Sequence, residues 1–181
     1  MVDWATAKDG LVEGALRDSE TYLSGTVALA ASADQRAAVV GGTFATAGAA
    51  IAAGVIGFAA AASAENIYRT SIYAGGISAA ALFIIGAAFC IRAAMPVGFH
   101  LPGTRPSDWA EDVAKGRSLI ECQQDLMDIR ETAIKENLAV IEKNARNYKI
   151  GAWVGIAAPV IGVAIWGLTA VASIMSLKHC L

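Results

Sequence analysis

The chain has 181 residues, of which 56% are hydrophobic and 17% are charged, and its net charge is −2. Soluble domains average about 45–50% apolar and about 25% charged residues, so the composition is typical of a membrane protein. The sequence contains two histidines and three cysteines and no metal-ligand spacing among them. It also lacks a phosphate-binding glycine loop, a Gly-x-Ser-x-Gly turn and a His-Glu-x-x-His pair. We therefore expect no enzyme, no metal and no cofactor.

Residues 1–36 predict a cytoplasmic amphipathic helix. Between residues 3 and 35, an apolar stripe falls mostly at helical spacing, and charged residues occupy the other faces. Six acidic and two basic side chains make this segment acidic. Its stripe is therefore expected to pack on protein rather than on anionic lipid. The stripe consists of Val12, Leu16, Leu23, Val27 and Ala30.

Three stretches carry no charged side chain: 37–64, 70–91 and 150–177. A spanning helix needs roughly 20 mostly apolar residues, so each stretch predicts a transmembrane helix. The alternative is a set of buried helices in a soluble bundle, but surface helices of such bundles keep a charged face. We predict an all-α membrane protein with three transmembrane helices and a cytoplasmic helical bundle. Its segments are 1–36, a transmembrane hairpin at 37–91, a cytoplasmic loop and long helix at 92–149, a third span at 150–177 and an external tail at 178–181.

The segment between the second and third spans begins with a loop, because three prolines and two glycines lie between residues 92 and 107. Ser107 is the predicted N-cap of the next helix. From residue 119, two apolar rows repeat every seven residues and predict a packing seam that includes Met127 and Ile134. The partner is either the N-terminal helix of the same chain or another copy. The helix is expected to continue into the third span, with a kink at Pro159.

Lysine and arginine side chains set the expected orientation. Twelve of them precede the first span or lie between the second and third spans, and two lie in the hairpin and the C-terminal tail. The positive-inside rule then predicts a multi-pass protein of the inner membrane with a cytoplasmic N-terminus and an external C-terminus. Cys90, Cys122 and Cys180 fall in different places along this topology, so no intrachain disulfide is expected.

Small residues are frequent within the spans and let helices approach closely in lipid. Gly54, Gly151 and Gly155 are predicted contacts of a homo-oligomer, with a tetramer as one candidate; the alternative is packing within one chain. Transporters and proton pumps usually place ionisable groups in their spans, and these spans have none. The hydroxyl residues of the spans could line a narrow pore, but bonding to a carbonyl of their own helix is the favoured interpretation.

The sequence Glu20-Thr21-Tyr22-Leu23, followed by Ala33-Asp34-Gln35-Arg36-Ala37, a short hairpin and a cytoplasmic helix, resembles small membrane effectors of bacterial antiphage systems. These are the Pycsar-type transmembrane effectors and SLATT domains. The resemblance covers about the first half of the chain, and the third span is an addition to the commonest two-span layout. It implies an oligomeric protein that disrupts or permeabilises the inner membrane in response to a nucleotide messenger.

A cyclic or linear nucleotide carries phosphate charge, so its site is expected to gather cations. The candidates are Arg36, Arg105, Lys115 and Arg117, which could instead be ordinary positive-inside residues. Duplex nucleic acid is not an expected partner. The expected partners are the lipid bilayer and further copies of the chain. The alternative function is a structural membrane subunit that anchors a partner through its cytoplasmic coiled coil.

Overall fold

The computed structural model describes residues 10–61, 69–104 and 106–179, and every regular element in these ranges is a helix. The long helices are α1 (Leu11–Ala61), α2 (Arg69–Ala93) and α4 (Leu119–His179). A 3₁₀ helix (Pro106–Trp109) and the short α3 (Ala110–Lys115) lie between α2 and α4. The predicted all-α fold is confirmed, and the three long helices are long and apolar enough to cross a membrane.

The chain forms two compact units. The polar unit comprises the described parts of Met1–Ala33 and Pro96–Lys143, and the apolar unit comprises those of Asp34–Met95 and Asn144–Leu181. Helices α1 and α4 each contribute residues to both units. The predicted segment boundaries at residues 36 and 149 therefore fall inside continuous helices, since neither place carries a proline that would end one. Helix α4 also continues through Pro159.

The segment after α2 is irregular over residues 94–104, as predicted. Gly103 there has φ +92°, a conformation that side chains with a Cβ rarely adopt. The predicted N-cap at Ser107 is wrong, because this residue lies inside the 3₁₀ helix. Pro106 begins that helix, and its fixed φ suits a first helical position.

Helix α3 ends at Gly116, whose φ of +64° places it in the left-handed conformation common at helix ends. Ser118 then caps α4 through a reciprocal capping box. The Glu121 N–H donates to Ser118 Oγ at 3.4 Å, and the Ser118 N–H donates to Glu121 Oε2 at 2.9 Å. The backbone and hydroxyl donors of Ser118 lower the pKa of Glu121. This cap fixes the start of α4 at Leu119, where the periodic pattern begins.

The core of the polar unit lies between the first half of α1 and the first half of α4. The α1 stripe is buried largely as predicted, except that Val27 is half-buried and Thr26 is fully buried. The two helices belong to one chain, so the structure shows intrachain packing for this stripe. Its buried members are Val12, Leu16, Leu23, Thr26 and Ala30 on α1, facing Cys122, Arg130, Ala133 and Asn137 on α4.

Glycines set the packing of the apolar unit, beginning with α1 against α2. A Cβ atom placed on Gly41 would lie 3.1 Å from Cys90 Cβ, and one on Gly48 would lie 3.2 Å from Ala80 O. Near the other end, Gly76 contacts Val55. Residue numbers therefore fall along α2 as they rise along α1. The two helices run antiparallel, with their backbones close together.

Helix α4 packs on α2 in the same way. A Cβ atom on Gly86 would lie 2.9 Å from Gly151 O, and one on Gly75 would lie 2.7 Å from Gly162 O. Helices α2 and α4 are thus also antiparallel, and α1 runs parallel to α4. Phe44 of α1 contacts Gly155 of α4, which completes a three-helix bundle.

Candidate functional site

Two of the four predicted ligand-binding cations lie beside Gly116, at the turn between α3 and α4. Lys115 Nζ is 2.6 Å from Glu111 Oε1. Arg117 donates to Asp125 Oδ2 at 2.6 Å and to Asp112 Oδ1 at 3.0 Å. These hydrogen bonds raise the pKa of Arg117 further above its ordinary value. An anion that bound at this turn would have to compete with carboxylates already in place.

The structure does not assign the other two predicted cations to this turn. Arg36 belongs to the apolar unit, where its side chain is exposed. Arg105 lies outside the described residues. We call the turn with Lys115 and Arg117 the cationic turn; both of its cations are already paired with carboxylates, and a ligand site there remains a prediction.

The two predicted apolar rows of α4 are both partly buried, but only one of them contains a buried residue. In that row Ala133 is buried and Leu126 and Val140 are half-buried, but Leu119 is 66% exposed. In the other row, Met127 and Ile134 are half-buried as well, and Ile120 is 46% exposed. The second row of the real seam contains the polar residues Arg130 and Asn137.

Arg130 is a buried cation that the apolar pattern does not identify, since only 9% of it is exposed. Its Nη1 donates to Leu16 O at 2.6 Å and to Ser19 Oγ at 3.3 Å. Its Nη2 is 3.5 Å from Glu20 Oε2. The guanidinium is thus held by one turn of α1 and fixes the register of α1 against α4.

Asn137 is 1% exposed and holds the loop of residues 94–104 against α4. The His100 N–H donates to Asn137 Oδ1 at 3.0 Å, and Asn137 Nδ2 donates to His100 O at 3.0 Å. The His100 ring also contacts Glu136 Oε2, at 2.5 Å from Nε2. The Asn137 amide therefore forms hydrogen bonds with both the N–H and the C=O of His100. We call this pair of bonds the amide clamp, because it holds the loop on α4.

The three glycines predicted as oligomer contacts have different surroundings in the structure. A Cβ atom on Gly151 would lie 2.7 Å from both Cys90 Sγ and Gly86 O, and Gly155 contacts the Phe44 ring. These two glycines serve packing within the chain. Gly54, by contrast, has no atom of the described structure within 4 Å of a Cβ placed on it. Of the three, Gly54 is the position open to a second copy.

Exposed side chains differ in size between α1 and α4 of the apolar unit. From residue 42 to residue 54 of α1, each exposed position is Gly, Ala or Thr. The exposed face of α4 carries large apolar side chains instead. We call the first surface the small-residue face, which consists of Gly42, Thr43, Thr46, Ala49, Ala50, Ala53 and Gly54. The α4 surface includes Trp153, Ile156, Val160, Val163 and Leu168.

Hydroxyl groups in the spans mostly bond to their own helix, as expected. Thr43 and Thr46 donate to Val39 O and Gly42 O, both at 2.9 Å, and Thr169 and Ser173 do likewise within α4. An apolar cleft of about 400 Å³ between the three helices, beside Pro159, has no charged side chain and no hydroxyl in its lining. This cleft therefore offers no polar path between the three helices.

The described residues hold no group of three or more histidine, cysteine, aspartate or glutamate side chains placed to bind a metal ion. The described cysteines, Cys90 and Cys122, are buried and unpaired. Compared with models of known protein families, with curated proteins and with solved structures, the chain gives no match.

Proposed function

We propose that this chain is a homo-oligomeric membrane effector of antiphage defence, without enzymatic activity, that permeabilises the inner membrane under the control of a nucleotide signal. The observation that carries the membrane half of the proposal is the small-residue face of α1. Lipid tails are as apolar as large side chains, so helix association in a bilayer depends on close backbone approach. The small-residue face permits such an approach, whereas the large side chains of α4 suit contact with lipid.

Permeation through such an assembly takes place between copies rather than within one copy. The three helices of a single copy meet at glycines such as Gly48, Gly75 and Gly151, whose added Cβ atoms would lie between 2.7 and 3.2 Å from a backbone oxygen of a neighbouring helix. A ring of α1 helices would instead bring Thr43 and Thr46, the hydroxyl residues of the small-residue face, toward a common axis. Such a path would be narrow and mildly polar, as expected for a pore gated by apolar side chains.

Gly54→Leu tests the oligomer. We expect association to weaken by about tenfold or more, since an isobutyl group prevents close approach at the small-residue face. The measurements are particle size in detergent and, during expression in cells, growth and membrane potential. Both the oligomer and the loss of membrane potential should be reduced.

Ala164→Leu is the matched control, because Ala164 is an exposed alanine on the large-residue surface of α4. This substitution adds three carbon atoms, one fewer than Gly54→Leu, and should leave oligomer size and depolarisation unchanged. Unchanged oligomer size in Gly54→Leu, or equal effects of the two substitutions, would contradict the proposed assembly.

The nucleotide half of the proposal is supported by the resemblance of the N-terminal segments and by the cationic turn. If phosphate binds at this turn, Arg117→Gln should abolish binding of cyclic and linear nucleotides to the purified protein. Asp125→Asn should instead strengthen binding several-fold, since it frees one side of the Arg117 guanidinium from a carboxylate. Isothermal titration with a nucleotide panel measures both. No binding to the wild type would remove this half and leave the membrane half standing.

A structural subunit that anchors a partner is the second candidate. It is favoured by large apolar side chains that stay exposed on the polar unit after α1 and α4 have packed together. These are Tyr22, Leu29, Ile129 and Leu138. Under this alternative the protein would neither depolarise cells nor slow their growth, so the same expression experiment separates the two functions.

A further inference from the structure

The bundle aligns one end of all three charge-free stretches. Gly41 of α1 and Gly151 of α4 both contact Cys90 of α2, which places these three residues at one level. The stretches 37–64, 70–91 and 150–177 begin or end within a few residues of that level. The structure thus places one end of each stretch at a common boundary of the apolar zone. The sequence alone predicts these three ends separately and does not show that they lie at the same level.

Four cations lie just outside this boundary. Arg36, Arg92 and Lys149 each directly flank one of the charge-free stretches, and Arg146 precedes Lys149 by less than one turn. They stand two to five residues beyond the Gly41–Cys90–Gly151 level, or about 3–8 Å at 1.5 Å per residue. The headgroup layer on each side of a bilayer is about 5–8 Å thick. We call these four residues the cationic collar.

The cations of the collar differ from most cations of the polar unit in their ion pairing. All four of its side chains are exposed, and within the described residues none has a carboxylate within ion-pair distance. In the polar unit, four of the six described lysine and arginine side chains contact a carboxylate, namely Lys115, Arg117, Arg130 and Lys135. The other two, Arg17 and Lys143, have no ion pair among the described residues.

Two carboxylates lie near the collar in the described chain, those of Asp34 and of Glu142, which stands four residues before Arg146 on α4, and neither forms an ion pair with a collar residue. The one carboxylate of the described apolar unit is that of Asp34, and burial raises its pKa. The collar therefore keeps a net positive charge.

We infer that the cationic collar binds the phosphates of anionic phospholipids, so that the apolar unit recruits these lipids around its three spans. Arginine supplies three of the four cations, and its planar fork matches phosphate oxygens. Exposed arginines at headgroup depth, with no protein carboxylate to hold them, are complementary in charge and position to such lipids. The inference goes beyond the proposed function, because it holds for a pore and for an anchor alike.

Quenching by brominated lipids tests the inference in the full-length protein. Trp153 is 72% exposed and lies four residues beyond Lys149, so its fluorescence reports lipid contact near the collar. The parent for this experiment keeps Trp153 and carries Phe in place of Trp4, Trp109 and Trp166. The host bilayer is phosphatidylcholine, and the quenching lipid is either brominated phosphatidylglycerol or brominated phosphatidylcholine. We expect the brominated phosphatidylglycerol to bind about fivefold more tightly at each lipid position that contacts the collar. This factor corresponds to about 1 kcal/mol for one cation near an anionic headgroup.

Arg92→Gln combined with Lys149→Gln should remove most of this preference. Lys115→Gln combined with Lys135→Gln should leave it unchanged, since those cations belong to ion pairs of the polar unit. Raising salt from about 0.05 M to about 0.5 M should weaken the preference of the parent through screening, which tests the inference even if the collar variant does not fold.

Equal quenching by the two lipids in the parent would overturn the inference. So would an unchanged preference in a fully helical collar variant, or a preference in the parent that does not respond to salt. Soluble glycerol phosphate separates a lipid headgroup from a free phosphate. Displacement of the lipid by this compound, at constant ionic strength, would assign the collar to a soluble anion and overturn the lipid inference.

Discussion

Gly151→Ala is expected to destabilise the protein by about 1–2 kcal/mol, although the change adds a single methyl group. The added Cβ would lie 2.7 Å from Gly86 O and from Cys90 Sγ, and 3.0 Å from Cys90 N. Two of these atoms belong to the backbone of α2 and cannot move away without shifting the helix. Overpacking of this kind typically costs about 1–3 kcal/mol. The gain from replacing glycine by alanine in a helix, about 1 kcal/mol in water, should not offset it.

Gly54→Ala is the matched control. Both glycines lie inside long helices, but the described structure leaves open space around a Cβ on Gly54. The variant should be as stable as the wild type or slightly more stable. Thermal unfolding in detergent, followed by circular dichroism at low protein concentration, measures both variants without a contribution from assembly. Equal stability of the two variants would show that α2 and α4 do not approach each other as closely as the structure places them.

The glycines also mark what sequence can predict about the apolar unit. The absence of charge predicts the three spans, because bilayer thickness fixes the length of an apolar helix. Which glycines serve the interior of the bundle is not predictable in this way. Gly54 and Gly151 both lie in charge-free stretches, but one faces open space and the other faces the backbone of α2. Their difference arises from the rotation of each helix in the bundle, which depends on contacts far apart in the chain.

In the polar unit too, features that follow from a local sequence pattern are predictable, and features that depend on tertiary contacts are not. The stripe on α1 is predictable because its members are apolar and recur at helical spacing. On α4, the row through Leu126, Ala133 and Val140 follows that rule, but the neighbouring row is built from Arg130 and Asn137. A search for apolar periodicity selects Met127 and Ile134 instead. The signal that could have identified the seam is the alternation along one helix face, where Arg130 and Asn137 lie three or four residues from Leu126, Ala133 and Val140.

For the cationic residues, the sequence predicts their side of the membrane but not their ion pairs. Positive-inside counting predicts that cations gather on one side of the spans, but it does not distinguish paired from unpaired side chains. The structure makes that distinction, since it gives Lys115 and Arg117 carboxylate partners and gives Arg36 none among the described residues. Partners such as Asp112 and Asp125 become neighbours of Arg117 only because Gly116 reverses the chain between α3 and α4.

Asn137→Leu is expected to destabilise the polar unit by about 2–4 kcal/mol. Leucine has nearly the same shape but offers no hydrogen bonds, so the His100 N–H and C=O lose both of their bonds to the amide. Leaving a buried polar group unsatisfied costs about 1–3 kcal/mol, and the half-buried His100 groups recover part of this from water. Hydrogen exchange should show the loop of residues 94–104 opening in the variant. The melting temperature should fall as well.

Asn137→Asp separates the hydrogen bonds from simple packing. At neutral pH the carboxylate accepts from the His100 N–H but repels the His100 carbonyl, so this variant should also be destabilised. A protonated aspartic acid has one acceptor and one donor and can restore both bonds. Burial raises the pKa of an introduced carboxyl group, so the stability difference from wild type should shrink as the pH falls from 7 toward 4.

The difference for Asn137→Leu should show no such recovery, because leucine has no group to protonate. A parallel pH response of the two variants would show that Asn137 contributes only its volume, and that the amide clamp on the loop does not stabilise the polar unit.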